Sequence, residues 1–395
     1  MPKQPDWTQV CLVIAAGVVG AAQIGKVAIA IPALREQLDL SLVAVSWIFG
    51  AYAILGAFGG LGAGMVVARF PMRAATIAAI ALIGIGNLIG AAAHGATLLL
   101  VSRMVEGVGF LCLVISGPTL LRNMSLGRHQ DIVFACWAAY IPVGTAIMMF
   151  VGPSILRTGW QALWLTNAAL AAGLVVLMLV LRPAPQPTRR AVVKPPLTEL
   201  AELLKSGGPP LLACAFTLYA IQYYALSTFL PILLVERMGL SLDTAGTISA
   251  LAVLANGAGN IAAGFILRFG APLWGIAGAV FVTVGLTGFG VFSPGLPTIV
   301  VAAAAALGLA VTALLPASVI ASAPRLAPTT GQLALTMGLI QQAAAIGQFA
   351  GPVILATWVE HFDWSGAAWL FLAIALVGLI IVAALRRIMR GVQAA

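Results

Sequence analysis

Apolar stretches of about 20 residues recur from one end of this 395-residue chain to the other. A helix of that length crosses the hydrocarbon core of a bilayer and satisfies its own backbone hydrogen bonds there. Only 8% of the residues are charged, whereas soluble domains are about 25% charged. The pattern therefore predicts an all-α membrane protein that crosses the bilayer many times, and it excludes a single soluble domain.

Charged or Pro/Gly-rich breaks divide the sequence into twelve predicted transmembrane helices. Their predicted limits are 10–34, 44–67, 74–95, 97–121, 132–154, 160–181, 210–232, 244–267, 272–293, 296–320, 331–356 and 366–385. The longest polar interruption falls between the sixth and seventh spans. We therefore predict an N-terminal six-helix half over 1–181, a cytoplasmic linker over 182–209 and a C-terminal six-helix half over 210–395.

The two halves repeat one another. The fifth span ends in FVGPSIL and the eleventh in FAGPVIL, so Gly152–Pro153 and Gly351–Pro352 occupy matching places. Two tryptophans follow in each half: Trp160 and Trp164, then Trp364 and Trp369. Repeats in the same orientation predict two halves related by a pseudo-two-fold axis normal to the membrane.

The basic residues are distributed unevenly between the two sides of the membrane. With the N-terminus inside, the outer loops hold only Arg35, Arg157 and Arg237 of the 20 basic residues. The positive-inside rule therefore predicts that both termini are cytoplasmic, in a bacterial inner membrane. The net charge of +9 is explained by this topology and by contact with anionic membrane lipids, so no nucleic-acid partner is expected.

Twelve spans, a six-plus-six division, a central linker and repeated halves resemble the major facilitator superfamily of secondary transporters. RMVEGVG (103–109) resembles the family's fourth-span signature, and Gly152–Pro153 resembles its fifth-span motif. The loop GMVVARFPMR (64–73) keeps the family's Gly64, Arg69 and Arg73 but has Ala68 at the acidic position. The resemblance implies that these motif residues serve gating and structure, without the usual acidic latch.

Two subgroups of that family are equally similar to parts of the chain. The stretch from DIVFACWAAYIPVG to TGWQALWLTNA somewhat resembles cyanate-permease-like small-anion transporters. The Gly-Pro motif of the fifth span looks equally like the drug/proton antiporters. Neither similarity names a substrate.

Three ionisable side chains lie within the predicted spans: Lys26, Arg103 and Glu106. A charge at the bilayer centre costs at least about 2.5–3.5 kcal/mol, so such residues typically face the bundle interior and pair with one another. Arg103 and Glu106 share a helix face at i, i+3. One acid between two bases leaves a positive charge that a substrate anion could neutralise. Alternatively, Arg103–Glu106 is a structural pair that Lys26 completes, or the lysine stem reaches towards the outer interface.

Uncharged polar groups supply further candidates for substrate binding. Tyr219, Gln222 and Tyr223 share one face of the seventh span, and Tyr140 lies in the fifth. Packing between helices is the alternative explanation for each of them. The three histidines do not cluster, and no nucleophile lies near a base in sequence, so no metal, cofactor or catalytic residue is predicted.

The resemblance implies a secondary transporter that works by alternating access, not an enzyme. We predict a monomer that carries a small organic, anionic solute, with Lys26 and Arg103 binding the solute and Glu106 as the site for a coupling proton. A proton-coupled exporter of lipophilic drugs or metabolites is the alternative within the same fold. A non-transporting receptor or assembly subunit is a second alternative, but no loop is long enough to hold a sensing domain.

Overall fold

The fold was analysed in a computed structural model, which describes residues 6–125, 128–181, 201, 203–327 and 330–394. Its long helices are α1 (Trp7–Leu38), α2 (Leu42–Gly50), α3 (Ile54–Val67), α4 (Met72–Ala91), α5 (Ala96–Met124), α6 (Arg128–Ala138), α7 (Tyr140–Leu156), α8 (Trp160–Val180), α9 (Gly208–Glu236), α10 (Leu242–Arg268), α11 (Leu273–Phe292), α12 (Thr298–Thr312), α13 (Leu314–Leu326) and α14 (Thr330–Ala394). No strand occurs within these described ranges. The predicted all-α membrane class is confirmed.

Most predicted spans correspond to one long apolar helix. In the described part of the chain, nine helices are long and apolar enough to cross a membrane, and two bent pairs, α2–α3 and α6–α7, bring the number to eleven. The last of the nine contains 56 residues, whereas one crossing needs about 20. It therefore has the length for two crossings, and the count of twelve stays a prediction.

Prolines explain two of the breaks inside spans. The helices α6 and α7 meet at Ala139 with a bend of 44°, and Pro142 lies in the first turn of α7. Pro316 has the same place in the first turn of α13, after the break at Ala313. A proline has no N–H, and its ring clashes with the carbonyl four residues earlier, so a helix is interrupted just before it.

The segment between the eleventh and twelfth predicted spans is helical, not a loop. The range given for α14 contains two helices that meet at a kink at Asp363, whose backbone angles are non-helical, with φ 56° and ψ 176°. Residues 357–362 contain neither glycine nor proline. The chain is therefore helical through the residues where hydropathy falls, up to the kink at Asp363, and a second helix follows the kink.

The described residues form two compact units. One contains the chain up to residue 181 together with Ser241–Ala250, and the other contains the chain from residue 201 to Leu240 and from Leu251 onward. Most of the predicted linker 182–209, namely 182–200 and residue 202, lies outside the described residues. The predicted boundaries of the two halves stay a prediction.

Each unit contains a pair of helices in close contact through glycine. A Cβ atom on Gly25 of α1 would lie 2.2 Å from the backbone oxygen of Thr145 in α7. In the other unit, a Cβ atom on Gly351 of α14 would lie 2.4 Å from the backbone oxygen of Ile221 in α9. Small residues allow such backbone approach between membrane helices. The first and fifth predicted spans therefore pack like the seventh and eleventh.

Candidate functional site

The three charges predicted to lie in the membrane form one cluster inside the first unit. The Lys26 ammonium is 2.8 Å from Oε1 of Glu106, and Arg103 contacts the other carboxylate oxygen through Nη1. All three side chains are completely buried. Each oxygen of Glu106 faces a separate cation, and with all three groups ionised the cluster has one excess positive charge.

Two aromatic rings and a carbonyl surround the cations. The Lys26 nitrogen is 4.4 Å from the centre of the Trp164 ring, and the Arg103 guanidinium carbon is 4.3 Å from that of Tyr52. Arg103 also donates from Nε to the backbone oxygen of Ile48 at 3.3 Å. Its Nη2 atom is buried and has no hydrogen-bond partner among the described residues. The cluster thus contains one cationic donor group that the described chain does not satisfy.

A chain of three amides extends from the lysine. The Lys26 nitrogen donates to Oδ1 of Asn87 at 2.7 Å, and Nδ2 of Asn87 donates to Oε1 of Gln23 at 3.0 Å. Nε2 of Gln23 then donates to Oδ1 of Asn167 at 2.9 Å. Each amide nitrogen also donates to the backbone oxygen four residues earlier in its own helix.

These backbone bonds settle which way the amides point. A carbonyl oxygen only accepts, so each amide must place its NH2 group there. All three amide oxygens therefore face the lysine end of the chain. Their negative ends stabilise the ammonium and help offset the excess charge of the cluster.

Glycines allow the helices of the site to approach one another. A Cβ atom on Gly86 of α4 would lie 2.5 Å from Cγ of Glu106, and one on Gly90 would lie 2.3 Å from Cδ1 of Trp164. A Cβ atom on Gly107 would lie 2.3 Å from the backbone oxygen of Tyr52. Glycine at these positions brings α4, α5 and α8 together around the buried carboxylate.

The predicted candidate Tyr140 lies outside this cluster. Its ring centre is 4.6 Å from that of Trp137 and 6.5 Å from that of Phe110. It is buried at the start of α7. The described contacts of Tyr140 are therefore aromatic packing.

The remaining substrate candidates lie on α9, in the second unit. The rings of Tyr219 and Tyr223 are stacked with centres 5.9 Å apart, and Gln222 is completely buried. Neither the amide oxygen nor the amide nitrogen of Gln222 has a hydrogen-bond partner within the described ranges. This amide is therefore a second buried polar group with unused hydrogen-bonding capacity.

The residues matched to family motifs have different surroundings. A Cβ atom on Gly64 would meet nothing within 4 Å, and Arg69 is exposed. Arg73 donates to the backbone oxygens of Met178 and Leu181 at the end of α8. Cations stabilise the negative end of a helix, so Arg73 joins α4 to α8.

The two Gly-Pro motifs take part in the glycine contacts of their own units. A Cβ atom on Gly152 would lie 2.7 Å from Cγ2 of Ile29, so the α7 motif packs on α1. Gly351 and the following Pro352 lie where α14 packs on α9. Pro153 lies inside α7 in the same way.

The sequence reasoning missed five residues of the site. They are Gln23, Asn87, Asn167, Tyr52 and Trp164. For Gln23, Asn87 and Asn167 the available signal was an amide side chain inside an apolar span, where polar side chains typically bond to another helix; Tyr52 and Trp164 gave no such signal. No group of three or more His, Cys, Asp or Glu that could hold a metal ion occurs among the residues described above.

Several proteins are similar to parts of this chain. The methylenomycin A resistance protein of Bacillus subtilis is 26% identical over 42% of this chain and 36% of its own length. The 3-(3-hydroxy-phenyl)propionate transporter of Escherichia coli is 26% identical over 56% of each chain. The tetracenomycin C resistance and export protein of Streptomyces glaucescens is 28% identical over 42% of this chain and 32% of its own length. The matches thus span about a third to a half of these relatives.

Solved structures show the same fold at low sequence identity. A bacterial homologue of the human lysosomal transporter Spinster, in an inward-facing and occupied conformation, superposes with a TM-score of 0.79 at 13% identity, covering 99% of this chain and 98% of that one. A D-xylose–proton symporter superposes with a TM-score of 0.74 at 15% identity, covering 95% of this chain and 97% of that one. These likenesses concern the fold alone.

The family model for the Major Facilitator Superfamily matches residues 12–286 and 212–394. These matches and the apolar helices give the same result, and the family consists of membrane transporters, not enzymes. This chain therefore belongs to the Major Facilitator Superfamily and is a multi-pass integral membrane protein.

Proposed function

We propose that this transporter carries a small organic anion across the membrane by alternating access, coupled to a proton. The buried cluster of Lys26, Arg103 and Glu106 is the coupling site. The proposal depends on one observation above all. A completely buried group of charges has an excess positive charge and a guanidinium nitrogen, Nη2 of Arg103, without a partner among the described residues.

Charge balance suggests how proton and anion are coupled. In the described state, Glu106 neutralises one of the two cations. A substrate carboxylate that binds Arg103 and Lys26 would take over this role, and Glu106 would then be free to accept a proton. The cluster carries the same net charge before and after this exchange. The displaced Glu106 carboxylate would then be a buried charge without its cationic partners, which is costly, so anion binding is expected to favour protonation of Glu106.

We also propose polar residues of the second unit as substrate-binding groups. Gln222 has a free amide within the described chain, and Tyr219 and Tyr223 provide hydroxyl groups and ring faces on the same helix. Tyr140 has a lesser role in this proposal because it packs against other rings. A buried amide and aromatic faces suit an organic acid with an aromatic or hydroxylated body.

The relatives support two kinds of cargo. One is named as a transporter of 3-(3-hydroxy-phenyl)propionate, an aromatic acid, which agrees with an anion site. Two others are named for antibiotic resistance or export. They favour the alternative, a proton-coupled exporter of lipophilic compounds in which Glu106 is still the proton site but the cations do not touch the cargo.

Flux measurements in proteoliposomes separate these proposals. The purified protein is reconstituted, and uptake of 3-(3-hydroxyphenyl)propionate and of its neutral methyl ester is measured with and without a pH gradient. Gradient-driven flux of the acid, but not of the ester, is expected. Specific flux of the ester alone would favour the exporter, and acid flux indifferent to the gradient would remove the proton role of Glu106.

Two substitutions locate the anion and the proton. Lys26→Ala should abolish acid flux while the protein still elutes as a folded species in detergent, and Glu106→Gln should make any remaining flux independent of pH. Arg157→Gln is the matched control, because this arginine belongs to the same unit but its side chain is 70% exposed. Unchanged transport of the native cargo by Lys26→Ala would refute the anion site.

The cellular setting is part of the same proposal. The distribution of basic residues favours cytoplasmic termini in a bacterial inner membrane, and a six-plus-six transporter needs no second copy to complete its site. Reporter fusions at both termini test the topology. Light scattering of the detergent-solubilised protein tests the monomer.

A further inference from the structure

A basic groove lies at one end of the second unit, between the start of α11 and the end of α14. Its volume is about 520 Å³. Arg386, Arg387 and Arg390 line its mouth together with Trp274. Nothing in the transport site proposed above uses these residues.

The charge of the groove has a single sign. All three arginines are exposed, and none of the described residues that line the groove is acidic. The Arg386 guanidinium is 4.5 Å from the centre of the Trp274 ring, so stacking holds it at the mouth. The helix α11 begins at Leu273 without a side-chain cap, which adds the positive end of a helix to the same place.

The inner part of the groove is apolar. Its walls there are Gly278, Ala279, Leu379 and Val382. Leu379 precedes Arg386 by seven residues, and a helix rises about 1.5 Å per residue, so the apolar wall extends roughly 10 Å from the charges. A Cβ atom on Gly275 would lie 3.4 Å from Cγ of Pro272, and one on Gly278 would lie 3.9 Å from Cγ1 of Val382, so both would make ordinary van der Waals contact.

The opposite end of the same helix pair provides a contrast. A cavity of about 330 Å³ lies there, lined by residues such as Phe289, Phe362 and Trp369. No charged side chain is among its described lining residues. A groove with both cations and an apolar wall therefore occurs at only one of these two places.

We propose that the basic groove binds an anionic phospholipid, with the phosphate at Arg386, Arg387 and Arg390 and the first part of an acyl chain against the apolar wall. Basic pockets between transmembrane helices suit anionic headgroups, and tryptophan prefers the level of the headgroups. A soluble phosphate would use the arginines but leave the apolar wall empty. The amphipathic shape thus favours a lipid of the leaflet on that side, which is the cytoplasmic one by the predicted topology.

The test uses native mass spectrometry of the purified full chain in detergent. Phosphatidylglycerol, phosphatidylcholine with the same acyl chains, and inorganic phosphate are titrated separately. Phosphatidylglycerol should bind most tightly, and inorganic phosphate at equal concentration should not displace it. Equal binding of the two lipids, or displacement by phosphate, would overturn the proposal.

Substitutions of groove residues test whether the lipid binds in this groove. A basic residue near a membrane surface is worth about 1 kcal/mol, or roughly fivefold in affinity. Arg386→Gln/Arg390→Gln should therefore weaken phosphatidylglycerol binding about 25-fold. Gly278→Leu should weaken it as well, because the new side chain fills the apolar wall while all charges remain.

The matched control is Arg268→Gln, an exposed arginine at the end of α10 outside the groove. It should leave binding within about twofold of the unaltered protein, less than the fivefold assigned to one groove arginine. If Arg268→Gln weakened binding as much as the double variant, the effect would be one of general surface charge and the groove would not be the site. Circular dichroism checks that each variant keeps its helix content. Normal binding by a folded double variant would also overturn the assignment.

Discussion

The excess charge of the buried cluster predicts that one substitution in it will partly restore the stability lost through another. Glu106→Gln removes the carboxylate that both Lys26 and Arg103 contact. Removing one partner of a buried ion pair typically costs about 3–5 kcal/mol, because the other charge is left uncompensated. Here two cations lose the same partner, so the upper part of that range is expected.

Lys26→Met should be less harmful, although it removes a charge from the same cluster. The remaining Arg103–Glu106 pair is neutral, and the excess charge is gone. The cost comes from Asn87, whose oxygen loses its donor, and an unsatisfied buried acceptor costs about 1–3 kcal/mol. Lys26→Met should therefore cost less than Glu106→Gln.

The double variant tests whether the excess charge, and not only the loss of each residue's own contacts, determines stability. In Lys26→Met/Glu106→Gln only Arg103 stays unpaired, so the lysine substitution should stabilise the Glu106→Gln protein. The coupling between the two changes must exceed the cost of Lys26→Met alone, so it is expected at the upper end of the range of about 0.5–3 kcal/mol for residues that share an ionic network. Such a sign change cannot arise if the two residues act independently.

The assay is the free energy of unfolding in mixed detergent and dodecyl sulfate micelles, followed by circular dichroism at four combinations of the two sites. Arg157→Gln serves as the control, since an exposed pair with Asp243 is worth at most about 1 kcal/mol. If Lys26→Met has the same cost in both backgrounds, the shared-charge reasoning is refuted. A Lys26→Met protein less stable than Glu106→Gln would refute it too.

Three further predictions concern the packing around the cluster. Gly25→Ala should destabilise the protein by about 1–3 kcal/mol in the same unfolding assay, because its Cβ atom would overlap a backbone oxygen of α7. The control Gly173→Ala, which has open space around it, should change the free energy of unfolding by less than about 1 kcal/mol. Equal losses in the two variants would contradict the close contact. Asn87→Ala should lower the free energy of unfolding by about 1–3 kcal/mol and lower the midpoint of thermal unfolding, because Lys26 and Gln23 both lose a hydrogen-bond partner. An unchanged midpoint would show that the amide chain does not stabilise the protein. Arg73→Gln should lower the free energy of unfolding by about 1 kcal/mol, because it releases the end of α8. The release should appear as faster hydrogen exchange at residues 178–181. Exchange identical to that of the unaltered protein would count against this contact.

The charged part of the site could be predicted from sequence because charge is conspicuous inside apolar segments. Lys26, Arg103 and Glu106 stand out in predicted spans that contain no other charged residue, and the i, i+3 spacing already places two of them together. The membrane class and the long helices followed from the same low charge. These inferences need only local sequence.

The amide chain could not be predicted in this way. Asn87 is 61 residues from Lys26, and Asn167 is 144 residues from Gln23, so their meeting depends on which helices are neighbours. Asn256 looks the same in sequence, yet its amide donates to the backbone of Leu309. A polar residue in a span shows that a partner exists but does not say which one.

The tryptophan repeat illustrates the same difficulty. Trp164 and Trp369 have similar places in the repeated halves, but Trp164 is completely buried beside Lys26 and Trp369 is 61% exposed. Local resemblance between the halves therefore does not carry the function of a residue from one half to the other. Only the contacts of each unit separate the two roles.

The one-way orientation of the amides restricts what evolution or an engineer can place at position 26. Each amide is tied to its own helix by a carbonyl four residues earlier, so the oxygen of Asn87 cannot turn away from that position without breaking the bond to Ile83. A donor is acceptable there, whereas an acidic side chain would face an oxygen that repels it. Converting this lysine to the opposite charge would thus require coordinated changes in the three helices that carry the amides, α1, α4 and α8, and single substitutions cannot reach that alternative by small steps.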